Sequence, residues 1–188
     1  VVICGNSDVV FSWKWYEGLF HVLDVLGVHL VGPLTNAPGR TDLIRNRQYI
    51  GTFMSNYQLD PSQEAVNGVG EYCRRMMPHG FVDAPVNGFM MCMKAKHWRH
   101  YAAHPDARLV FPPDINVMPS GALNKYPKMC GQEDWLRQQI LKQGAAPGMG
   151  IALGSFVFHF RSVTRGLEFA KGQAYARLTR REQVTHVG

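Results

Sequence analysis

Apolar positions along the chain fall into short runs and helical stripes separated by Gly, Pro, Asn and Asp, the pattern of alternating strands and helices. Val1-Val2-Ile3-Cys4 is apolar without alternation, as expected of a strand buried on both faces of a parallel sheet. It runs into Gly5-Asn6-Ser7-Asp8, which this reading puts at the carboxyl end of the strand, where open α/β sheets hold ligands. The same residues are also ordinary turn formers. Ser12 is placed to cap a helix over residues 13–26, in which Tyr16, Leu19, Phe20, Leu23 and Leu26 recur at helical spacing and Gly27 ends the run. Residues 28–31 read as a strand, followed by a Gly- and Pro-rich loop over 32–39. Strand, helix and strand in one direction make a right-handed βαβ unit whose two loops share one end of the sheet.

Residues 40–59 are polar and weakly periodic, which predicts an excursion of low order. Asp60-Pro61-Ser62-Gln63 is a helix start, with Asp60 as the cap, Pro61 at the first helical position and Gln63 at the third, and the helix is expected to run to Met77, just before Pro78. A strand pair is predicted at 81–86 and 89–94, broken by Asn87-Gly88, then a short helix at 95–103. Five prolines in 105–131 predict a loop that serves as a lid or acceptor-side segment. A helix over 132–143 is stopped by Gly144, and two short strands follow at 150–153 and 156–160. Met90, Met91 and Met93 read as core filler.

Composition narrows the class. With 188 residues, 46% hydrophobic and 18% charged, the chain is long and apolar enough for one folded domain. No apolar run reaches membrane-spanning length, and no charged-then-apolar signal opens the chain. The chain begins inside what reads as a core strand, so a preceding segment is expected. Cys4, Cys73, Cys92 and Cys130 show no paired spacing, which predicts reduced structural thiols and a cytoplasmic setting, membrane-peripheral at most. The net charge of +6 has its excess late, in Arg161, Arg165, Lys171, Arg177, Arg180 and Arg181. Such a tail, taken as helical over 167–188, suits RNA, an anionic membrane or a diphosphate, or simply makes a solvated helix face. No nucleic-acid module accompanies it, so no specific nucleic acid is expected.

Candidate chemistry starts at Asp8, with Asn6 two residues upstream. Hard oxygen ligands at a strand end suit Mg²⁺ or Mn²⁺ bridging a diphosphate, because such ions take few protein carboxylates and share the substrate's oxygens. His159, in Phe156-Val157-Phe158-His159-Phe160, reads either as a neutral imidazole ligand to the same ion or as a hydrogen-bonded core residue. His97, His100 and His104 are spaced to share a helical face but lack a matched carboxylate or thiol, so zinc is not expected.

The order of these pieces resembles a family-2 glycosyltransferase. Asn6-Ser7-Asp8-Val9-Val10 is similar to that family's cation-binding motif, and Val31-Gly32-Pro33-Leu34-Thr35-Asn36 follows it after an amphipathic helix. Asn87-Gly88-Phe89-Met90-Met91 is similar to the Gly-Phe segment beside the donor sugar. Gly131-Gln132-Glu133-Asp134-Trp135-Leu136 is similar to the Glu-Asp motif that opens the acceptor-side helix, and 156–164 to the late His segment. The resemblance covers residues 1–166. It implies an α/β fold of GT-A type, a mixed sheet flanked by helices, lacking the N-terminal nucleotide-binding strands. It implies a metal-dependent, inverting sugar transfer from a nucleotide-sugar donor to a hydroxyl of a glycan, lipid or protein acceptor. Asp8, Asn6 and His159 would hold Mn²⁺ or Mg²⁺. Asp134 would be the general base with Glu133 beside it, and Thr35, Asn36, Asn87, Gly88, Phe89 and Trp135 would contact substrate. A helix N-terminus stabilises the Asp134 carboxylate and so lowers its basicity, which burial or Glu133 must restore. Two other readings stay open: a sugar-phosphate nucleotidyltransferase, which wants a Gly-rich basic phosphate loop that these residues lack, and a non-catalytic sugar- or partner-binding fragment.

Overall fold

The computed structural model describes residues 1–38, 46–54, 60–107, 132–145 and 147–160, the side chains of Gln132 and Asp134 apart. Strands β1 (Val2–Gly5) and β2 (Val9–Phe11) precede helix α1 (Tyr16–Val25) and strand β3 (Leu30–Leu34). A 3-10 turn at Ile50–Thr52 leads to α2 (Gln63–Met76), β4 (Phe81–Asp83), β5 (Met90–Met93) and α3 (Ala95–Ala102). Helix α4 (Gln132–Lys142) and strand β6 (Met149–His159) complete the described chain. The six strands form one curled mixed sheet in the order β1-β5-β3-β6-β2, with β4 also on β6. Strand β6 is its spine. It runs parallel to β3 along one edge, and along the other it pairs antiparallel first with β4 and then with β2.

Helices cover both faces, which explains why β3, β5 and β6 read as unbroken apolar runs. Alternate residues go to opposite sides. Val31, Met90, Cys92, Ala152 and Val157 pack with Leu19, Val22 and Leu23 of α1. Leu30, Leu34, Met91, Met93, Ile151, Phe156 and Phe158 pack with Val66, Val69 and Cys73 of α2 and with Trp135, Leu136 and Ile140 of α4. Each such side chain removed from water stabilises the fold by about 1.5–3 kcal/mol. The three methionines are core residues, divided between the two faces. Cys4, Cys73 and Cys92 are free thiols, and burial pushes Cys73 and Cys92 up to about 12. Those two are therefore protonated and inert at neutral pH.

Several expectations change. The opening strand is an antiparallel partner of β5 with alternate residues exposed, not a parallel strand buried on both faces. Strands β1 and β3 do run in one direction, but β5 lies between them and the chain reverses into β2 before entering α1. Ser12 does not cap α1. The helix begins at Tyr16, and the buried Ser12 hydroxyl donates instead to the Phe156 carbonyl at 2.7 Å. Strand β3 continues through Gly32-Pro33-Leu34, where a loop was expected, because the register shift at Pro33/Leu34 accommodates a residue without an N–H. Strands β4 and β5 do not pair with each other; each finds a longer partner elsewhere in the sheet. The two late strands are one, since Leu153 to Ser155 stay extended between them.

Other boundaries hold. Gly27 and Gly144 follow α1 and α4 with φ of +67° and +66°, a left-handed conformation that favours glycine. Ser62, rather than Asp60, caps α2 by accepting from the Ala65 N–H at 3.4 Å, while Asp60 accepts from the Ser62 N–H. The expected lid beyond Ala107, Cys130 and the basic tail from Arg161 lie outside the described residues.

Candidate functional site

The β1–β2 turn, the end of β3, the segment leading into β5 and the end of β6 meet at one corner of the sheet. The Asn6-Ser7-Asp8 stretch is both a strand end and a turn. Its Asn6 N–H donates to the Phe89 carbonyl at 2.8 Å, and its Asp8 carbonyl accepts from the Phe160 N–H at 3.0 Å. Those bonds hold the turn against both neighbours and aim Asn6 and Asp8 at His159. Asn36, past the end of β3, clamps His159 by its backbone, accepting from its N–H at 2.8 Å and donating to its carbonyl at 3.2 Å. Phe89 stacks on the imidazole with ring centres 5.0 Å apart.

The imidazole's proton position follows from its partners. His159 Nδ1 lies 2.8 Å from the Ala37 carbonyl, which can only accept, so Nδ1 carries the hydrogen. Nε2 then presents a lone pair toward the Asp8 carboxylate, with Oδ1 at 3.5 Å. Asn6 Nδ2 stands 3.2 Å from the same nitrogen and donates to it. The two side chains are nearly sealed from solvent, His159 at 6% exposure and Asp8 at 8%. A carboxylate so deeply buried needs a counter-charge. A cation beside it can supply that charge.

The donor set fits a divalent cation. It offers one carboxylate oxygen, one imidazole nitrogen oriented by a backbone carbonyl, and a carboxamide that presents Oδ1 when turned over. Among the described residues no three His, Cys, Asp or Glu side chains gather around one point. A cation at this corner would therefore be held weakly by protein alone and would need oxygens from a bound ligand.

The second part of the site adjoins the first through residues 87–89. A Cβ on Gly88 would stand 2.6 Å from Glu133 Oε2 and 2.9 Å from its carboxyl carbon, so the carboxylate rests on the bare backbone of Gly88. Helix α4 thus brings the first of its two acidic residues against the segment whose Phe89 walls His159. Asp134 follows in the first turn of α4, its side chain outside the described residues. Trp135 and Thr35 are fully buried, Trp135 within the core and Thr35 paired through its backbone with Gln48 and Ile50. In this arrangement they support the site from behind.

Gln48 is the residue the sequence did not announce. It is fully buried, its backbone carbonyl accepts from Thr35 N–H at 2.8 Å, and its Oε1 accepts from Asn87 N–H at 3.0 Å. It therefore ties the Asn36 segment to the Asn87-Gly88-Phe89 segment. Its Nε2 and Asn87 Nδ2 are buried donors without a partner among the described residues, a cost of about 1–3 kcal/mol each when unmet. A buried polar residue in an otherwise polar stretch carries no periodic signal, so no pattern in the sequence marks it.

The expected histidine cluster separates. His97 stacks on His29 with ring centres 3.9 Å apart, His100 meets the Gln143 carboxamide, and His104 lies beside Asp106. No helix among the described residues is long and apolar enough to cross a membrane. Compared with models of known protein families, with curated proteins and with solved structures, the chain matches none.

Proposed function

We propose that this chain carries the catalytic corner of a metal-dependent, inverting glycosyltransferase with a GT-A-like sheet, using a nucleotide-sugar donor. One observation carries the reading: Asn6, Asp8 and Phe89 meet the buried imidazole of His159, Asn36 grips that residue's backbone, and Gly88 with Glu133 adjoins them. A chance set of turn residues and one core histidine has no reason to meet so, and residues spaced this widely do so only through the fold.

In this mechanism Asp8, His159 and Asn6 would hold Mn²⁺ or Mg²⁺ beside the donor's diphosphate, and the chemistry supplied there would be neutralisation of the charge on the leaving group, often the largest catalytic contribution. Phe89 and Asn36 hold the imidazole in one orientation, and Ala37 keeps its proton on Nδ1. Asp134 takes the proton of the acceptor hydroxyl as that oxygen attacks the anomeric carbon. Glu133, seated on Gly88, stands beside the segment whose Phe89 walls His159, one residue before the proposed base.

The test is titration of Mn²⁺ in the presence and absence of UDP, GDP and dTDP, followed by a nucleotide-sugar panel. Weak Mn²⁺ binding that strengthens with one of the diphosphates, and is lost in Asp8→Ala without loss of fold, is the expected result. Unchanged diphosphate binding in Asp8→Ala would take Asp8 out of the site and the proposal with it.

A further inference from the structure

A concave site lies at the opposite end of β2 from Asp8, about 10 Å along the strand. Phe11, Trp13, Trp15 and Tyr16 line it together with Gln63 and Asn67 of α2, around a volume of about 380 Å³. That size falls within the range of small-molecule sites. Its aromatic rings are unusually open: Trp13 is 67% exposed, and Phe11 and Tyr16 are also exposed. Phe11 and Trp15 stack with ring centres 4.7 Å apart.

The rings are exposed, and the backbone that carries them is held. Trp13 N–H donates to Asn67 Oδ1 at 2.8 Å, and Gln63 Nε2 donates to the Phe11 carbonyl at 2.8 Å and to Asn67 Oδ1 at 3.0 Å. The Arg74 guanidinium donates to the Trp13 carbonyl. Between the two tryptophans Lys14 is in the left-handed region at φ +57°, a cost of about 1–3 kcal/mol for a residue with a side chain. The fold thus holds a strained segment through three hydrogen bonds and leaves the Phe11, Trp13 and Tyr16 rings exposed. The exposed rings gain little from core packing, whereas a ligand that covers them meets aromatic surface on a fixed backbone.

The lining also states what kind of ligand fits. Lys14 is paired with Glu17 at 3.3 Å and Arg74 with Glu71 at 2.5 Å, so both cations at the groove among the described residues are balanced, which does not favour nucleic acid or an anionic headgroup. Gln63 Oε1 and Asn67 Nδ2 make no hydrogen bond among the described residues, leaving one acceptor and one donor at the rim. Flat rings with a neutral amide donor and acceptor match a pyranose, which has C–H faces and a hydroxyl edge. We propose that this groove binds a neutral pyranose-containing glycan; resting on the glycosyltransferase reading, it grips a part of the acceptor remote from the reacting hydroxyl.

The experiment uses the 188-residue chain with maltotetraose, chitotetraose and mannotetraose as probes, read by tryptophan fluorescence and by saturation-transfer NMR. At least one probe should bind at millimolar concentration or below and perturb tryptophan emission. Trp13→Ala should weaken it by about fivefold without moving the thermal midpoint, and Trp13→Phe should restore most of the affinity. Asp8→Ala should leave glycan binding unchanged while removing Mn²⁺-dependent diphosphate binding. Absence of binding by all three probes, or binding indifferent to Trp13→Ala, overturns the assignment. So does self-association, or binding to phosphatidylserine vesicles, that Trp13→Ala abolishes. Glycan binding without any diphosphate binding would leave the groove standing and remove the transferase reading; the reverse result removes the groove alone.

Discussion

Helix α2 contains two interior glycines, Gly68 and Gly70, whose replacement by alanine should have opposite effects. Intrinsic propensity treats them alike: Gly is about 0.8–1 kcal/mol less favourable than Ala in a helix interior. A Cβ at Gly68 meets nothing within 4 Å, so Gly68→Ala should stabilise by about that amount. At Gly70 the same Cβ falls closer than 3.0 Å to both Oγ and Cβ of Ser12. Ser12 cannot yield freely, because its hydroxyl is bonded to the Phe156 carbonyl in the spine of the sheet. Overpacking costs about 1–3 kcal/mol, and breaking a buried hydrogen bond leaves a carbonyl unsatisfied for about 1–3 more. Less the propensity gain, Gly70→Ala should destabilise by about 1–5 kcal/mol. Urea unfolding followed by circular dichroism measures both variants on one scale. Equal shifts of the two midpoints in the same direction would refute the claim that α2 packs through Gly70 on Ser12.

Three further outcomes follow from the site and its surroundings. Gly88→Ala should displace the Glu133 carboxylate by about an ångström, at little cost in stability because a flexible side chain yields; a misplacement of that size costs about 10²-fold in rate, so transfer unaltered in a stopped nucleotide-sugar assay would remove Glu133 from the site. Asp134→Asn should lower transfer at saturating donor by about 10²–10⁴-fold with donor affinity nearly unchanged, and a loss below about tenfold would make this an ordinary acidic first turn. The His29–His97 stack should make the fold acid-sensitive. Burial, then His29 and the nearby Lys96, Lys94 and His100, holds His97 down at about 4, and burial with Lys96 and His100 lowers His29. The unfolded chain takes up these protons from the ordinary value of 6.5 downward and the folded chain does not, so stability intact above that value is lost as pH falls toward 4. A full shift would be worth about 3 kcal/mol, and screening at this partly exposed pair leaves about 1 kcal/mol. His97→Gln should flatten that part of the pH–stability curve, and an unchanged curve would exclude the pair as its source.

Features with a local physical cause can be read along the chain. The ends of α1 and α4 follow from glycines that take a left-handed conformation at little cost, whereas at the start of α2 the cluster of capping residues was legible but the choice of Ser62 over Asp60 was not. Buried strands were legible because two covered faces demand apolar residues at every position, as in β3, β5 and β6. Asn6, Asp8 and His159 were nameable as candidates because few residue types can bind a hard cation. Pairing was not legible. β1 seemed a central parallel strand because an apolar run has no label for edge or direction, and only contact with β5 settled both. Pro33 spoke for a loop, yet a shift in register absorbed its missing donor. Tertiary structure alone decided that Asn36 grips His159 and that Ala37 sets its tautomer. It alone seated Glu133 on Gly88 and made Gln48 the tie between two segments. Each of those is a contact between residues distant in sequence, often through a backbone atom that every residue carries, so no pattern of side chains along the chain could announce it.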